Sequence, residues 1–120
     1  MKVLVVDDSR VMRQIVVRTL RQAGFDGLDI VEATNGAEGL DVVASEGPDM
    51  VLSDWNMPEM TGIDFLTNLR ARGDSTPFGF VTSEGSPEMR ERAAGAGALF
   101  LIAKPFSADT FADTLSPILG

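Results

Sequence analysis

Four short apolar runs in this 120-residue chain stop at a polar residue that could do chemistry. Val3-Leu4-Val5-Val6 stops at Asp7-Asp8, and Met50-Val51-Leu52-Ser53 stops at Asp54. The run through Phe80-Val81 stops at Thr82, and Leu99 to Ala103 stops at Lys104. Three carboxylates brought within about 4–5 Å repel one another by roughly a few kcal/mol per pair at an effective dielectric near 20. They ionise together only with a cation among them. The chain has no histidine and no cysteine, so the cation must be a hard ion taking oxygen ligands. Mg²⁺ fits, because it takes one or two carboxylates and keeps positions open for phosphate oxygens. Lys104 supplies a point charge for a phosphoryl oxygen and Thr82 a hydroxyl donor. The set has the parts of a phosphoryl-transfer site that works by positioning and electrostatics. One carboxylate could serve as nucleophile and become an aspartyl phosphate. Asp54 is the best candidate, since it stands alone at its strand end while the Asp7-Asp8 pair suits metal holding.

These residues span almost a hundred positions and act together only if the fold brings them to one edge. The apolar runs are continuous rather than alternating, which marks strands buried on both faces of a parallel sheet. Between them come helical spacings. Val11, Met12, Ile15, Val16 and Leu20 recur with Arg10, Arg13, Arg18 and Arg21 between them, and Gly24 stands at a C′ position. Asp29 to Ala33 reads as a second strand and Ala37 to Ala44 as a second helix, broken by Gly47-Pro48. Ile63, Phe65, Leu66 and Leu69 mark a third helix, and Thr76 to Thr82 a fourth strand weakened by Gly79. Ser86-Pro87-Glu88 opens a fourth helix that runs to about Gly95. Leu99 to Ala103 is a fifth strand, and Thr110 to Leu119 holds a last helix with Ser107 or Asp109 near its start. Strand and helix alternate five times, the pattern of one parallel α/β sheet with helices on both faces. Such sheets bind ligands at their strand C-termini, where strand order reverses.

Composition narrows the classes. The hydrophobic fraction is 44% and the charged fraction 23%, which fits one globular domain and excludes a disordered chain. Ten basic against 18 acidic residues give a net charge of -8, and no two basic residues are adjacent. That field repels nucleic acid and anionic lipid. No apolar stretch is long enough to span a membrane or to form a signal-peptide core. The reading therefore expects a cytoplasmic protein, with no nucleic-acid or membrane partner.

The motifs together are recognisable. Val5-Val6-Asp7-Asp8-Ser9, Ser53-Asp54-Trp55-Asn56-Met57-Pro58 with Met60 and Gly62, Val81-Thr82-Ser83-Glu84, and Gly97-Ala98 leading to Lys104-Pro105-Phe106 follow in order. Over its whole length the sequence resembles the receiver domain of two-component response regulators, and within that family the stand-alone chemotaxis regulators. The resemblance implies a flavodoxin-like fold with strand order 2-1-3-4-5 and five helices. It implies one receiver domain over residues 1–120 with no output domain, acting as a monomer. Asp54 would be the phosphoacceptor, charged by a sensor histidine kinase. Asp8 and Asp54 would ligate Mg²⁺ directly with the backbone carbonyl of Asn56, and Asp7 through water. Thr82 and Lys104 would hold phosphoryl oxygens, and Lys104-Pro105 would be cis. Asn56 and Glu84 would tune hydrolysis of the acyl phosphate. The domain would be a switch rather than an enzyme, with self-phosphorylation and self-dephosphorylation only. Its output would be phosphorylation-dependent binding of a target such as a flagellar motor switch component.

One position departs from the family pattern. Three residues before the lysine the family usually carries Tyr or Phe, which turns inward on phosphorylation, and here stands Leu101. Phe100 is its neighbour and points to the opposite face of the strand. Other roles share parts of this pattern. A phosphorelay intermediate or a phosphate sink would use the same site. A flavodoxin-like electron carrier needs a Ser/Thr/Gly-rich phosphate loop after the first strand, where Asp7-Asp8-Ser9-Arg10 would repel flavin phosphate. Small-molecule aspartyl-phosphate hydrolases carry Asp-x-Asp there, whereas these acids are adjacent. Trp55, Met57 and Met60 around Asp54 read first as packing residues.

Overall fold

The computed structural model describes residues 1–119. Ten elements alternate: β1 (Lys2–Val6), α1 (Arg10–Gln22), β2 (Asp29–Ala33), α2 (Gly36–Glu46), β3 (Met50–Ser53), α3 (Gly62–Ala71), β4 (Phe78–Thr82), α4 (Pro87–Ala96), β5 (Phe100–Ala103) and α5 (Ala108–Leu119). The strands are all parallel, in the order β2-β1-β3-β4-β5. This is the order the resemblance implies, with the chain reversing direction between β1 and β3.

Helix starts follow local chemistry. Ser9, Asn35, Thr61 and Ser86 each accept a first-turn amide, from Met12, Glu38, Asp64 and Met89. For α5, the Ser107 hydroxyl accepts the Thr110 amide, so the helix opens at Ala108, two residues before the expected start. β4 begins at Phe78 rather than Thr76. The Asp74 carboxylate takes both the amide and the hydroxyl of Thr76, at 2.8 and 2.6 Å, and holds that segment as a turn. The same two bonds hold the Asp74 carboxyl below the usual carboxylate range.

Strand alternation splits the core in two. Val3, Val5, Met50, Leu52, Val81 and Ile102 face Val16 and Leu20 of α1 and Phe111 and Leu115 of α5. Leu4, Val6, Val51, Phe78, Phe80 and Leu101 face residues of α2, α3 and α4, including Phe65, Leu66 and Ala93. Gly79 is a regular strand residue despite its weak propensity. A Cβ there would fall inside the ring of Phe100, its partner on β5. The missing side chain is the space the ring fills. Gly79→Ala should therefore cost about 2–3 kcal/mol by overpacking. A lower urea midpoint at unchanged slope would register it, and adding Phe100→Leu should recover part of the loss.

Candidate functional site

β1, β3, β4 and β5 end at one edge, and hydrogen bonds carry the ladder on into the site residues. The Asp54 amide donates to the Val6 carbonyl at 2.8 Å, and the Lys104 amide to the Thr82 carbonyl at 2.8 Å. The Asp7 amide donates to Ala33 at 3.2 Å. The sheet thus fixes the backbone of each residue before its side chain matters. α3 closes the far side tightly, because a Cβ on Gly62 would collide with the Asp54 carbonyl.

One carboxylate oxygen from each of Asp7, Asp8 and Asp54 lies within 4.8 Å of the others. This cluster could hold a metal ion. Its members differ in exposure: Asp7 is 3% exposed, Asp54 is partly buried and Asp8 faces solvent. Asp7 accepts the Ser9 amide at 2.9 Å and the Lys104 ammonium at 3.2 Å. Asp54 accepts the Trp55 amide at 2.7 Å and lies 3.7 Å from the same ammonium. Burial pushes the Asp54 carboxyl above the ordinary range. Lys104 pulls it back and Asp7 pushes it further up, with smaller lowering effects from the Trp55 amide and the Thr82 hydroxyl. A carboxylate kept partly desolvated, beside a lysine and a second acid, carries a negative charge that its surroundings satisfy poorly.

Thr82 is fully buried, and its hydroxyl accepts the Glu84 amide at 3.4 Å. Asn56 and Glu84 lie exposed on the rim, where the Asn56 amide donates to the Glu84 carboxylate at 3.4 Å. The Lys104–Pro105 bond is cis. Leu101 is buried in the core on the α4 side, while Phe100 lies across Gly79 on the other. Trp55 and Met57 are buried core residues, and the Trp55 ring stacks on Phe80 with centroids 4.7 Å apart.

Three arginines that sequence reasoning passed over also touch this region. Arg13 donates to the Asp7 carbonyl at 2.7 Å and to Glu32 at 2.9 Å, fixing the backbone beneath the acids. Its place one turn into α1, six residues after Asp7, was the signal available. Arg92 of α4 lies over the Trp55 ring, 5.4 Å from its centroid. Arg90 of α4 bonds two backbone carbonyls, those of Gly85 and Leu101.

The family model of the response regulator receiver domain matches residues 3–116. The chain belongs to that family. A chemotaxis protein CheY homolog of Campylobacter jejuni is 38% identical over 123 residues, covering 100% of this chain and 93% of that protein. Chemotaxis protein CheY-3 of Vibrio cholerae is 41% identical over 120 residues, covering 98% of this chain and 91% of that protein. Among solved structures, the chemotaxis response regulator CheY4 of Vibrio cholerae superposes with a TM-score of 0.85 at 38% identity, covering 98% of each chain. A receiver domain is a signalling switch, not an enzyme that turns over a metabolite. Its acids, lysine and buried threonine sit at the strand-end edge where the sequence reading placed them. Among the described residues no helix is long and apolar enough to cross a membrane.

Proposed function

We propose that this receiver domain is phosphorylated on Asp54 by a sensor histidine kinase in a Mg²⁺-dependent reaction, and that the phosphorylated form signals by binding another protein in chemotaxis or motility. The observation that carries the reading is the convergence of Asp7, Asp8 and Asp54 around Lys104 in a pocket that offers oxygen donors alone. That donor set fits a hard cation and no softer one. Asp8, Asp54 and the Asn56 carbonyl would hold Mg²⁺, with Asp7 acting through water. When bound, the cation offsets the crowded negative charge and that of the phosphoryl oxygens.

The residues then have distinct tasks. An Asp54 carboxylate oxygen attacks phosphorus of the donor phosphohistidine, the new O–P bond forms, and the P–N bond breaks. The electron pair and a proton end on the departing imidazole. Lys104 exchanges its contacts with Asp7 and Asp54 for a phosphoryl oxygen, and the Thr82 hydroxyl donates to another. Asn56 and Glu84, at the rim, control the approach of the water that later cleaves the acyl phosphate. The receiver domain spans residues 3–116 by the family match. It acts as a cytoplasmic monomer through its surface, on a target such as a flagellar motor switch component. The chemotaxis names of its relatives and the acidic net charge support a protein target over nucleic acid. Incubation with acetyl phosphate and Mg²⁺ should raise the intact mass by one phosphoryl group, reversed on standing. No mass gain at any Mg²⁺ concentration would overturn the proposal.

A further inference from the structure

α4 sits on the sheet with little apolar anchorage. Ala93 is its one buried residue, with Met89 and Ala96 partly covered. By comparison α3 buries Ile63, Phe65, Leu66 and Leu69. Hydrogen bonds make up part of the difference. The Arg90 guanidinium donates through Nη1 to the Leu101 carbonyl at 2.9 Å and through Nε to the Gly85 carbonyl at 3.2 Å. One side chain thereby joins the first turn of α4, the middle of β5 and the loop that follows β4. That loop begins directly after Thr82, and its Glu84 amide bonds the Thr82 hydroxyl. β5 leads in three residues from Leu101 to Lys104. The two carbonyls therefore belong to the segments that carry the hydroxyl and the ammonium of the site.

From this geometry we infer that Arg90 is a positioning residue: it clasps the Thr82–Gly85 loop to β5 in the unphosphorylated protein and sets how readily Thr82 can move toward Asp54. The inference rests on the phosphoacceptor reading for its consequence, though not for the clasp itself. The reach of the loop is limited because a planar fork must satisfy two fixed carbonyls at once. Any inward shift of Thr82 drags Gly85 with it and opens the Nε bond. A cavity of about 210 Å³ lined by Arg90, Ala93, Ala94, Leu99 and Leu101 gives the released guanidinium somewhere to turn without displacing another side chain. Leu101 adds no ring that would fill in behind Thr82, so in this chain the loop is held by a backbone clasp rather than by an aromatic at that position.

Arg90→Met tests this, because it keeps the apolar stem and removes both donors, and Arg90→Lys keeps the charge with a single point donor. The side chain is solvent-exposed, so both variants should fold. In the unphosphorylated protein, amide exchange across residues 83–86 should be about tenfold faster in Arg90→Met than in wild type, with exchange in α1 and α2 unchanged. Equal exchange in that loop overturns the clasp, whatever the phosphorylation chemistry proves to be. With acetyl phosphate and Mg²⁺, the initial labelling rate should rise roughly threefold in Arg90→Met and less in Arg90→Lys, since a resting state held less firmly yields more readily. A merely structural arginine would lower stability and leave the rate unchanged or reduced, and that result also overturns the inference. Absence of labelling in wild type would count against the phosphoacceptor reading alone, with the exchange experiment still deciding the clasp.

Discussion

Asp54→Asn should abolish labelling by acetyl phosphate while making the metal-free protein more stable. The first half follows from chemistry: an amide oxygen with no negative charge does not attack phosphorus, and the other acids are bound to the Ser9 amide and Lys104 or turned to solvent. The second half follows from the direction of the Asp54 shift. Its carboxyl is raised in the fold, by burial first and with Asp7 adding to it. The folded protein then binds more protons than the unfolded chain between the unfolded value near 3.8 and the raised folded value. Stability falls as pH rises through that window and stays lower above it. The variant lacks this loss, so in EDTA at neutral pH it should exceed wild type by about 1 kcal/mol, the ordinary scale of one substitution. The advantage should vanish as pH falls through the window. Asp74 has the opposite sign, stabilising above the unfolded value and losing that contribution in acid, but it does so equally in both proteins. The difference between their urea midpoints across pH therefore isolates Asp54. Undiminished labelling in Asp54→Asn would move the nucleophile elsewhere, and a neutral-pH midpoint below wild type would show that the charge is not strained in the fold.

The alternation of elements was legible in the sequence because β1, β3 and β4 are buried on both faces and read as continuous apolar runs, and each helix starts at a capping residue. Asp7, Asp54, Thr82 and Lys104 were legible for a related reason: each directly follows or ends a strand, so a parallel sheet carries all four to one edge. What residue type and spacing alone, without the family resemblance, could not separate was Asp7 from Asp8. They are adjacent and chemically alike, but alternation turns one inward to Lys104 and the other out to water. Gly79 read as a weakness in a strand because its partner Phe100 lies on a different strand, 21 positions away, and propensity is blind to that contact. Arg90 and Arg92 drew no reading from the sequence, and Arg13 read only as a polar residue between apolar helix positions. Their partners are backbone carbonyls, an indole ring and, for Arg13, a Glu32 carboxylate on another element, and none of these leaves a local charge pattern in the sequence. Leu101 was legible as a departure from the family. Its neighbour Phe100 does not compensate for it, because that ring is already committed to the space over Gly79.

Lys104→Met should be the most destabilising change in the site when no metal is present. The Asp7 side chain is 4% exposed and its charge is answered by two contacts, the Ser9 amide and the Lys104 ammonium. Removing the ammonium leaves a buried carboxylate with one hydrogen bond and a second acid, Asp54, in the same cluster. Breaking a buried pair from one side costs roughly 3–5 kcal/mol, because the abandoned charge keeps its desolvation penalty and loses its attraction. Urea unfolding in EDTA should show a loss of about 3 kcal/mol, toward the lower end of that range because the lysine side chain is partly exposed. Millimolar Mg²⁺ should restore more stability to the variant than it adds to wild type, since the cation takes over the charge balance that the lysine supplied. Labelling by acetyl phosphate should still fall, because no residue is left to hold the phosphoryl oxygen that Lys104 would take. Adding Asp7→Asn removes the stranded charge and should bring the metal-free double variant to within about 1 kcal/mol of wild type, a coupling readable from the four-protein cycle. A double variant no more stable than Lys104→Met alone would show that the lysine stabilises the fold through its packed stem and not through the buried acid. The opposed signs of Asp54→Asn and Lys104→Met, measured in one buffer, separate an electrostatic cluster from a set of residues that merely pack together.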